Sequence, residues 1–203
     1  MTNNSKILVT YVSKSGSTAE IARFIAQQVE QASRAAVDVL PMSEVSSLEP
    51  YGAVITGGFL YRFGWHPQAQ EFVTQYQAQL KKRKTAFFVA GMGLIKTAEC
   101  DQSPFPLFLD ANFVRQPSRP GHLNALEKQM TLPNYMKDTL PILAEIHPLS
   151  VGFFGGKLDM QTLSSVEKMI LRVICLLTGA KPGDYRNWDL IQTWAGQVAA
   201  NLA

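Results

Sequence analysis

The chain has 203 residues, 46% of them hydrophobic, and its 19 basic and 16 acidic residues leave a formal net charge of +3. A chain of this length buries about 70% of its unfolded surface in one core, so we expect a single domain over residues 1–203. The small, scattered charge argues against nucleic-acid binding. Neither Cys100 nor Cys175 lies in a CxxC or zinc spacing, so we expect no metal. The start lacks a signal-peptide apolar segment and no apolar run reaches about 20 residues, which predicts a cytoplasmic protein.

Five short apolar runs, rich in β-branched and aromatic residues, alternate with amphipathic segments. The runs predict buried strands at residues 6–12, 36–40, 53–56, 85–90 and 150–154. The amphipathic segments predict helices at residues 18–33, 68–80, 136–146, 163–178 and 189–201. Buried strands alternating with helices indicate an α/β fold, a doubly wound parallel sheet of five strands in the order 2-1-3-4-5 with helices on both faces. In such sheets the ligand binds outside the carboxyl ends of the strands.

The first predicted strand runs through a loop of small hydroxyl residues directly into the first helix. The loop consists of Ser13, Lys14, Ser15, Gly16, Ser17 and Thr18. A helix N-terminus offers unpaired backbone N–H groups and about half a positive charge, so the loop is a candidate phosphate site. It is not a Walker A loop, because that pattern requires a glycine directly before Lys14-Ser15, where Ser13 stands. A hydroxyl-rich cap on an ordinary strand-to-helix turn is the open alternative.

The segment from Val9 to Ala22 resembles the flavodoxin signature. The matching positions are Val9, Tyr11, Ser13, Gly16, Thr18 and Ala22. The chain departs from the signature at Thr10, where the family prefers an apolar residue. The resemblance implies a flavodoxin-like fold in which residues 13–18 wrap the phosphate of FMN.

An aromatic loop follows the third predicted strand, after a glycine pair that ends in Gly58, itself a candidate cofactor-binding residue. The next candidates are Tyr61, Arg62, Phe63 and Gly64, which resemble the R-[FY]-G loop that flavodoxin-like reductases place against the isoalloxazine ring. The resemblance implies that Phe63 or Tyr61 stacks on the flavin and that the N–H of Gly64 meets its N5 or O4 edge. The open alternative is an apolar loop buried under a long insertion at residues 99–137.

The fourth predicted strand leads into Gly91, Met92, Gly93 and Leu94. Glycine lets a backbone approach a ligand closely. By resemblance to the family, this loop holds the pyrimidine side of the flavin. The loops after strands one, three and four all lie at the same edge of a parallel sheet, where one ligand can contact all three.

Residues 91–135 contain five prolines and no sustained period, in a connection far longer than the usual 2 to 6 residues or so. The stretch 103–114 is too apolar for a solvated linker. We therefore expect residues 99–137 to form an insertion that packs as a lid over the site or as an interface in a homo-oligomer.

The C-terminal third looks like the flavodoxin-domain family that includes the quinone-dependent protoporphyrinogen IX dehydrogenases. The resemblance rests on residues 153–159, an apolar segment at 168–177, and residues 178–179 and 184–189. It implies an FMN-dependent oxidoreductase acting on a porphyrinogen or a quinone, with a link to heme biosynthesis. In that family the flavin performs the redox chemistry, so no side chain is assigned as catalytic.

Two other functions stay open, an electron carrier that serves a redox partner without its own substrate and an interaction module that has lost flavin. Flavodoxin carriers are strongly acidic, whereas this chain has an isoelectric point of about 8.9, which favours the enzyme. The predicted helix at 163–178 is apolar around more than one face. We expect it to pack on the sheet, partly covered by the insertion or a second subunit, or else to make a peripheral membrane contact assisted by Lys168, Arg172 and Lys181.

Overall fold

The computed structural model describes residues 6–158, 168–169 and 182–202. Its strands are β1 (Lys6–Tyr11), β2 (Val37–Pro41), β3 (Tyr51–Tyr61), β4 (Gly64–Trp65), β5 (Lys84–Gly91), β6 (Leu94–Ile95), β7 (Leu107–Leu109), β8 (Val114–Arg115), β9 (Ser150–Gly155), β10 (Lys157–Leu158) and β11 (Gly183–Asp184). Its helices are α1 (Ser17–Ser33), α2 (Pro67–Leu80), α3 (Ala98–Asp101), α4 (Ala125–Gln129), α5 (Leu132–Tyr135), α6 (Leu140–Ile146) and α7 (Trp188–Leu202), with one 3-10 turn at Met42–Glu44.

The main sheet is parallel and runs in the order β2, β1, β3, β5, β9 and β7. The first five strands in this order are the predicted strands 2-1-3-4-5, so the predicted doubly wound sheet is confirmed. β7 adds a further parallel strand beside β9, which the sequence analysis did not predict. The predicted helix at 163–178 lies outside the described residues, apart from Lys168 and Met169.

The core forms on both faces of the sheet because successive side chains of each strand point to opposite sides. Along β1, Ile7 and Val9 pack with α1 and α7, whereas Leu8 packs on the opposite face with α2 and α6. Along β5, the same alternation places Phe87 and Phe88 on opposite faces of the sheet. Strands buried on both faces read as continuous apolar runs, which is why they could be predicted.

The third strand is longer than predicted, because it continues through the glycine pair to Tyr61. The glycines do not end the strand. They leave room for large rings: a Cβ at Gly57 would lie 1.8 Å from the ring of Phe88, and one at Gly58 would lie 2.6 Å from the indole nitrogen of Trp65. The extended strand then turns back antiparallel onto β4 as a hairpin.

Residues 99–137 are built into the domain. Leu107–Leu109 forms the edge strand β7, and β8 pairs with β6 in a second, two-stranded sheet. Phe105 and Phe113 are buried, and the ring of Phe113 stacks near Phe153 of β9 with centroids 6.3 Å apart. The segment therefore extends one face of the core, while a role as lid or subunit interface stays a prediction.

One predicted helix is shorter than expected. The apolar period predicted a helix over residues 136–146, whereas α6 begins at Leu140. Pro141 lies in its first turn, where the missing proline N–H has no helical acceptor in any case. The proline therefore suits the start of a helix better than its interior.

A buried tyrosine links the starts of β2 and β3. The hydroxyl of Tyr51 donates to Asp38 Oδ2 at 2.9 Å, and Lys6 Nζ lies 2.7 Å from the same oxygen. Burial, reinforced by the hydrogen bond to Asp38, raises the pKa of Tyr51 to about 12. The ordinary tyrosine pKa is near 10, so the neutral phenol favours the folded state and its stabilisation is lost as pH rises from about 10 to 12.

We expect Tyr51→Phe to flatten the alkaline loss of stability. The variant loses the hydrogen bond to Asp38, so it starts less stable at pH 8, but it carries no phenol to ionise. Urea unfolding at pH 8, 10 and 11 measures the difference. Wild-type and variant curves that fall in parallel above pH 10 would contradict the assignment.

Candidate functional site

The loop after β1 leaves the start of α1 available to a ligand. Gly16 caps the helix with a positive φ of 90°, a conformation that favours glycine, and it has no side chain to accept from the first-turn N–H groups. Its own N–H donates to Ser13 Oγ at 3.1 Å, and the helical ladder begins with Glu20 N–H to Gly16 O at 3.0 Å. The backbone N–H groups of Ser17 and Thr18 therefore have no acceptor within the helix. The Ser13 hydroxyl thus accepts from the loop and not from the first turn of the helix, and a phosphate site here stays a prediction.

The loop opens into a cleft of about 150 Å³ at the carboxyl edge of the sheet. The cleft combines the first loop with the ends of β3 and β5 and with the residues after β9. The lining residues are Lys14, Ser15, Ser17, Thr18, Phe59, Leu60, Ala90, Gly91, Met92, Gly156, Lys157 and Leu158. All three predicted loops thus line one cleft, the third of them through Phe59 and Leu60 and not through Tyr61 to Gly64.

The segment after β9 is the part of the cleft that the sequence analysis missed. Gly156 N–H donates to Gly91 O at 2.7 Å, which sets the two loop backbones side by side. Lys157 and Leu158 follow directly and pair with β11. The available signal was the Gly155-Gly156 pair at the carboxyl end of the fifth strand, since every such end faces the ligand edge.

The hairpin between β3 and β4 presents an exposed aromatic tip. Arg62 and Phe63 form its two-residue turn with φ values of 48° and 60°, the geometry of a type I′ turn. Neither residue is glycine, so this backbone costs roughly 1–3 kcal/mol per residue, and such strain concentrates at functional sites. The side chains of Tyr61 and Phe63 remain 37% and 36% exposed, and Arg62 lies over the ring of Tyr61 at 5.2 Å. The alternative of a loop buried under the insertion is therefore not observed.

Several predicted residues shape the site without lining the cleft. Gly64 faces Tyr61 in the hairpin ladder, and Gly58 lies under Trp65. Gly93 accepts from the hydroxyl of Tyr135 at 2.9 Å. Leu94 is fully buried and belongs to β6, so its side chain supports the insertion.

His66 stabilises the base of the hairpin. Its ring packs 4.7 Å from Phe59 and 5.7 Å from Tyr61, between centroids. Its Nδ1 accepts from Gln68 N–H at 3.3 Å as the cap of α2. Burial is the main cause that lowers the pKa of His66, with a further contribution from the charge of Lys14, and this favours the neutral ring that the cap requires.

The described part of the chain contains neither a metal-binding cluster nor a membrane-spanning helix. Residues 6–158, 168–169 and 182–202 contain no group of three His, Cys, Asp or Glu side chains arranged to hold a metal ion. Within the same ranges, no helix has the length and apolar character needed to cross a bilayer.

Comparison with known proteins places the chain in a family. A model of the flavodoxin domain matches residues 8–184. Flavodoxin 2 from Bacillus cereus superposes with a TM-score of 0.51 at 16% identity, covering 97% of this chain and 99% of that one. A flavodoxin from the domain Archaea superposes with a TM-score of 0.50 at 12% identity, covering 97% and 98%. At these identities the likeness concerns the fold alone.

Rubredoxin oxygen:oxidoreductase from Desulfovibrio gigas superposes at a TM-score of 0.49 and 12% identity, and the chain spans only 36% of its length. A search of the curated proteins finds no match to the sequence. The family match extends over most of the chain, including the loop after β1, the hairpin and the residues that follow β9. The chain therefore belongs to the flavodoxin-domain family, whose cofactor is FMN.

Proposed function

We propose that the cleft at the carboxyl edge of the sheet binds FMN and that the protein uses it as an oxidoreductase. The observation that carries this proposal is the glycine-capped start of α1, with first-turn N–H groups that have no helical acceptor, in a cleft beside an exposed aromatic tip. The N–H groups suit a phosphate dianion, and the aromatic tip suits a flat ring system. The residues present fit FMN.

In this proposal the loop of residues 13–18 holds the phosphate. Backbone N–H groups of Ser17 and Thr18, the hydroxyls of Ser15 and Ser17, and the ammonium of Lys14 would supply the donors. Gly16 permits the turn that aims these groups at one point. Because the positive end of a helix adds to the attraction, a phosphate needs few charged side chains here.

The ring would lie between the hairpin and the loop after β5. Tyr61 or Phe63 would cover one face, and Leu60, Gly91 and Met92 line the apolar wall. A Cβ at Gly91 would lie 2.6 Å from Leu60 Cδ1, so the glycine allows the Leu60 side chain to pack directly against the backbone of β5. Gly64 pairs with Tyr61 in the hairpin. Its N–H would meet the N5 or O4 edge of the ring.

Bound FMN would supply the reversible acceptance of electrons and protons. The side chains of the chain would position the ring, exclude water from one face and set the local charge. Among the described residues that line the cleft, Lys14 and Lys157 are cationic and none is acidic. Positive charge at a cleft favours an anionic reaction partner.

The specific substrate we propose is a porphyrinogen or a quinone, as the resemblance of the C-terminal third implies. The cationic lining of the cleft supports an anionic substrate such as a porphyrinogen carboxylate more directly than a neutral quinone. The second candidate is an electron carrier for a protein partner, which the exposed aromatic tip would also serve. The cationic lining favours the enzyme over a carrier of the acidic type.

Titration of flavin-free protein with FMN, followed by quenching of flavin fluorescence, tests the binding proposal. We expect one FMN per chain, and protein that takes up no FMN would overturn it. Anaerobic mixing of the loaded protein with protoporphyrinogen and with a panel of quinones then tests the enzyme. Catalytic turnover with either supports it, whereas electron exchange confined to a protein partner favours the carrier.

A side-chain amide of the insertion is hydrogen-bonded to the hairpin tip. Asn134 Nδ2 donates to Phe63 O at 3.0 Å and to Gln129 O at 2.8 Å. We expect Asn134→Ala to weaken FMN binding by about threefold to tenfold, since one hydrogen bond positions the strained turn. Fluorescence titration measures this loss.

Asn201→Ala is the matched control for this variant. Its amide donates to Gln197 O at 2.8 Å within α7, so it removes a similar bond at another place. We expect its FMN affinity to equal that of the wild type. Equal losses in both variants would show that the Asn134 bond does not act through the hairpin.

A further inference from the structure

We propose that Arg186 is a positioning residue for the phosphate site, because it pairs with a carboxylate that lies within one helical turn of that site along α1. This inference rests on the proposed function. The carboxylate is that of Glu20, which lies in the first turn of α1. The backbone N–H of Glu20 donates to Gly16 O in the first hydrogen bond of the helix. With a rise of about 1.5 Å per residue, Glu20 lies within one turn of Ser17.

The guanidinium of Arg186 is fixed by contacts on several sides. Nη1 lies 2.6 Å from Glu20 Oε2, Nη2 lies 2.6 Å from Asp184 Oδ2, and Nε donates to Asp184 Oδ1 at 2.8 Å. The cation lies 4.6 Å from the ring centre of Trp188, which packs edge-on against Phe24 of α1. The Arg186 side chain is only 5% exposed, whereas the carboxylates of Glu20 and Asp184 are 51% and 42% exposed.

The position of this ion pair matters more than its contribution to stability. Exposed ion pairs stabilise proteins little, and two of the three partners here are exposed. A carboxylate alone suits a helix N-terminus, but beside a phosphate dianion it would repel the ligand. The buried guanidinium, which Glu20 shares with Asp184, offsets part of that repulsion and leaves the first-turn N–H groups to the phosphate.

The neighbouring charges fit the same role. Asp184 makes the bidentate contact with Arg186, and this hydrogen bond is the first cause that lowers the pKa of Asp184. Lys157, which lines the cleft, adds a further positive charge near Asp184. Each carboxylate of this cluster thus has a cation close to it, Arg186 for Glu20 and both Arg186 and Lys157 for Asp184.

Arg186 also belongs to a segment that supports the cleft wall. Tyr185 N–H donates to Gly156 O at 3.0 Å, and a Cβ at Gly155 would lie 2.0 Å from Tyr185 O. A purely structural role for Arg186 would act through this contact on the whole flavin. A charge role acts on the phosphate alone, so FMN and riboflavin, which lacks the phosphate, distinguish the two.

The experiment compares Arg186→Gln, Glu20→Gln and the double variant by fluorescence titration with FMN and with riboflavin. We expect Arg186→Gln to weaken FMN binding about tenfold and to change riboflavin binding less than about twofold. Adding Glu20→Gln to it restores the charge balance and returns the FMN affinity to within about twofold of the wild type. Glu20→Gln alone tightens FMN binding several-fold, which keeps the test decisive if Arg186→Gln fails to fold.

The outcomes separate the two proposals. Wild-type protein that binds neither flavin overturns the proposed function. Wild-type protein that binds FMN, with Arg186→Gln weakening FMN and riboflavin equally, overturns the charge role and assigns Arg186 to the cleft wall. FMN affinity that is unchanged in Glu20→Gln likewise overturns the charge role. Arg186→Lys, which keeps the charge, is expected to retain most of the FMN affinity.

Discussion

Replacement of Gly57 by alanine is expected to lower the free energy of unfolding by about 3 kcal/mol or to prevent folding. Gly57 of β3 pairs with Phe88 of β5, whose ring lies over the glycine. A Cβ at Gly57 would lie 1.8 Å from Phe88 Cζ. The ring cannot move aside, because Phe88 is fully buried and packs edge-on against Trp194 with centroids 6.4 Å apart. Urea unfolding monitored by tryptophan fluorescence measures the loss.

Gly196→Ala is the matched control for this substitution. Gly196 lies within α7, and a Cβ there would meet no atom within 4 Å. Alanine costs less conformational entropy than glycine in a helix, so we expect a gain of about 0.5–1 kcal/mol. A gain in one variant and a loss in the other isolates the effect of the Phe88 ring. Equal stabilities would contradict the packing described for β3.

A negative charge in the loop after β1 is expected to abolish most FMN binding. Ser15 is exposed and lines the cleft, so Ser15→Glu leaves the fold unchanged while placing a carboxylate beside the proposed phosphate site. Repulsion between this charge and a phosphate dianion about 4 Å away is expected to weaken FMN binding about thirtyfold or more, even at the dielectric constant of water. Fluorescence titration at low and high salt measures the effect, which salt should reduce.

Ser15→Gln has nearly the same size as Ser15→Glu and carries no charge. We expect it to bind FMN within a few-fold of the wild type. If both variants lose binding equally, the loop contacts the ligand through shape and the phosphate assignment fails. If neither variant loses affinity, the phosphate lies elsewhere, and the proposal for residues 13–18 is wrong even if FMN binds.

The sequence was informative where local pattern and burial agree. The apolar runs at 6–12 and 85–90 correspond to β1 and β5, because strands buried on both faces need apolar side chains at every position. The small residues at 13–18 predicted a strand-to-helix loop, and α1 begins at Ser17. Parallel strands then require the loops after them to share one edge, so the site could be placed at that edge before any side-chain position was known.

Three features were decided by contacts between residues far apart in the chain. β3 continues through two glycines because the rings of Phe88 and Trp65 fill the space that side chains would occupy. The turn at Arg62 and Phe63 takes positive φ values that no residue preference predicts, and the amide of Asn134, 71 residues from Phe63, holds it. β7 has only three residues and becomes a strand by pairing with β9, so its local sequence carries no strand pattern.

The chain's own sequence thus predicted the doubly wound sheet, because buried apolar runs alternate with amphipathic segments, and it predicted the edge at which a ligand is expected. The tertiary structure alone decided which residues line the cleft and which charges surround it. Gly156 and Lys157 reach the cleft through the ladder to β5 and the pairing with β11. Arg186 meets Glu20 across 166 positions of sequence. Long-range pairs of this kind depend on packed backbone positions, and local sequence contains no signal for them.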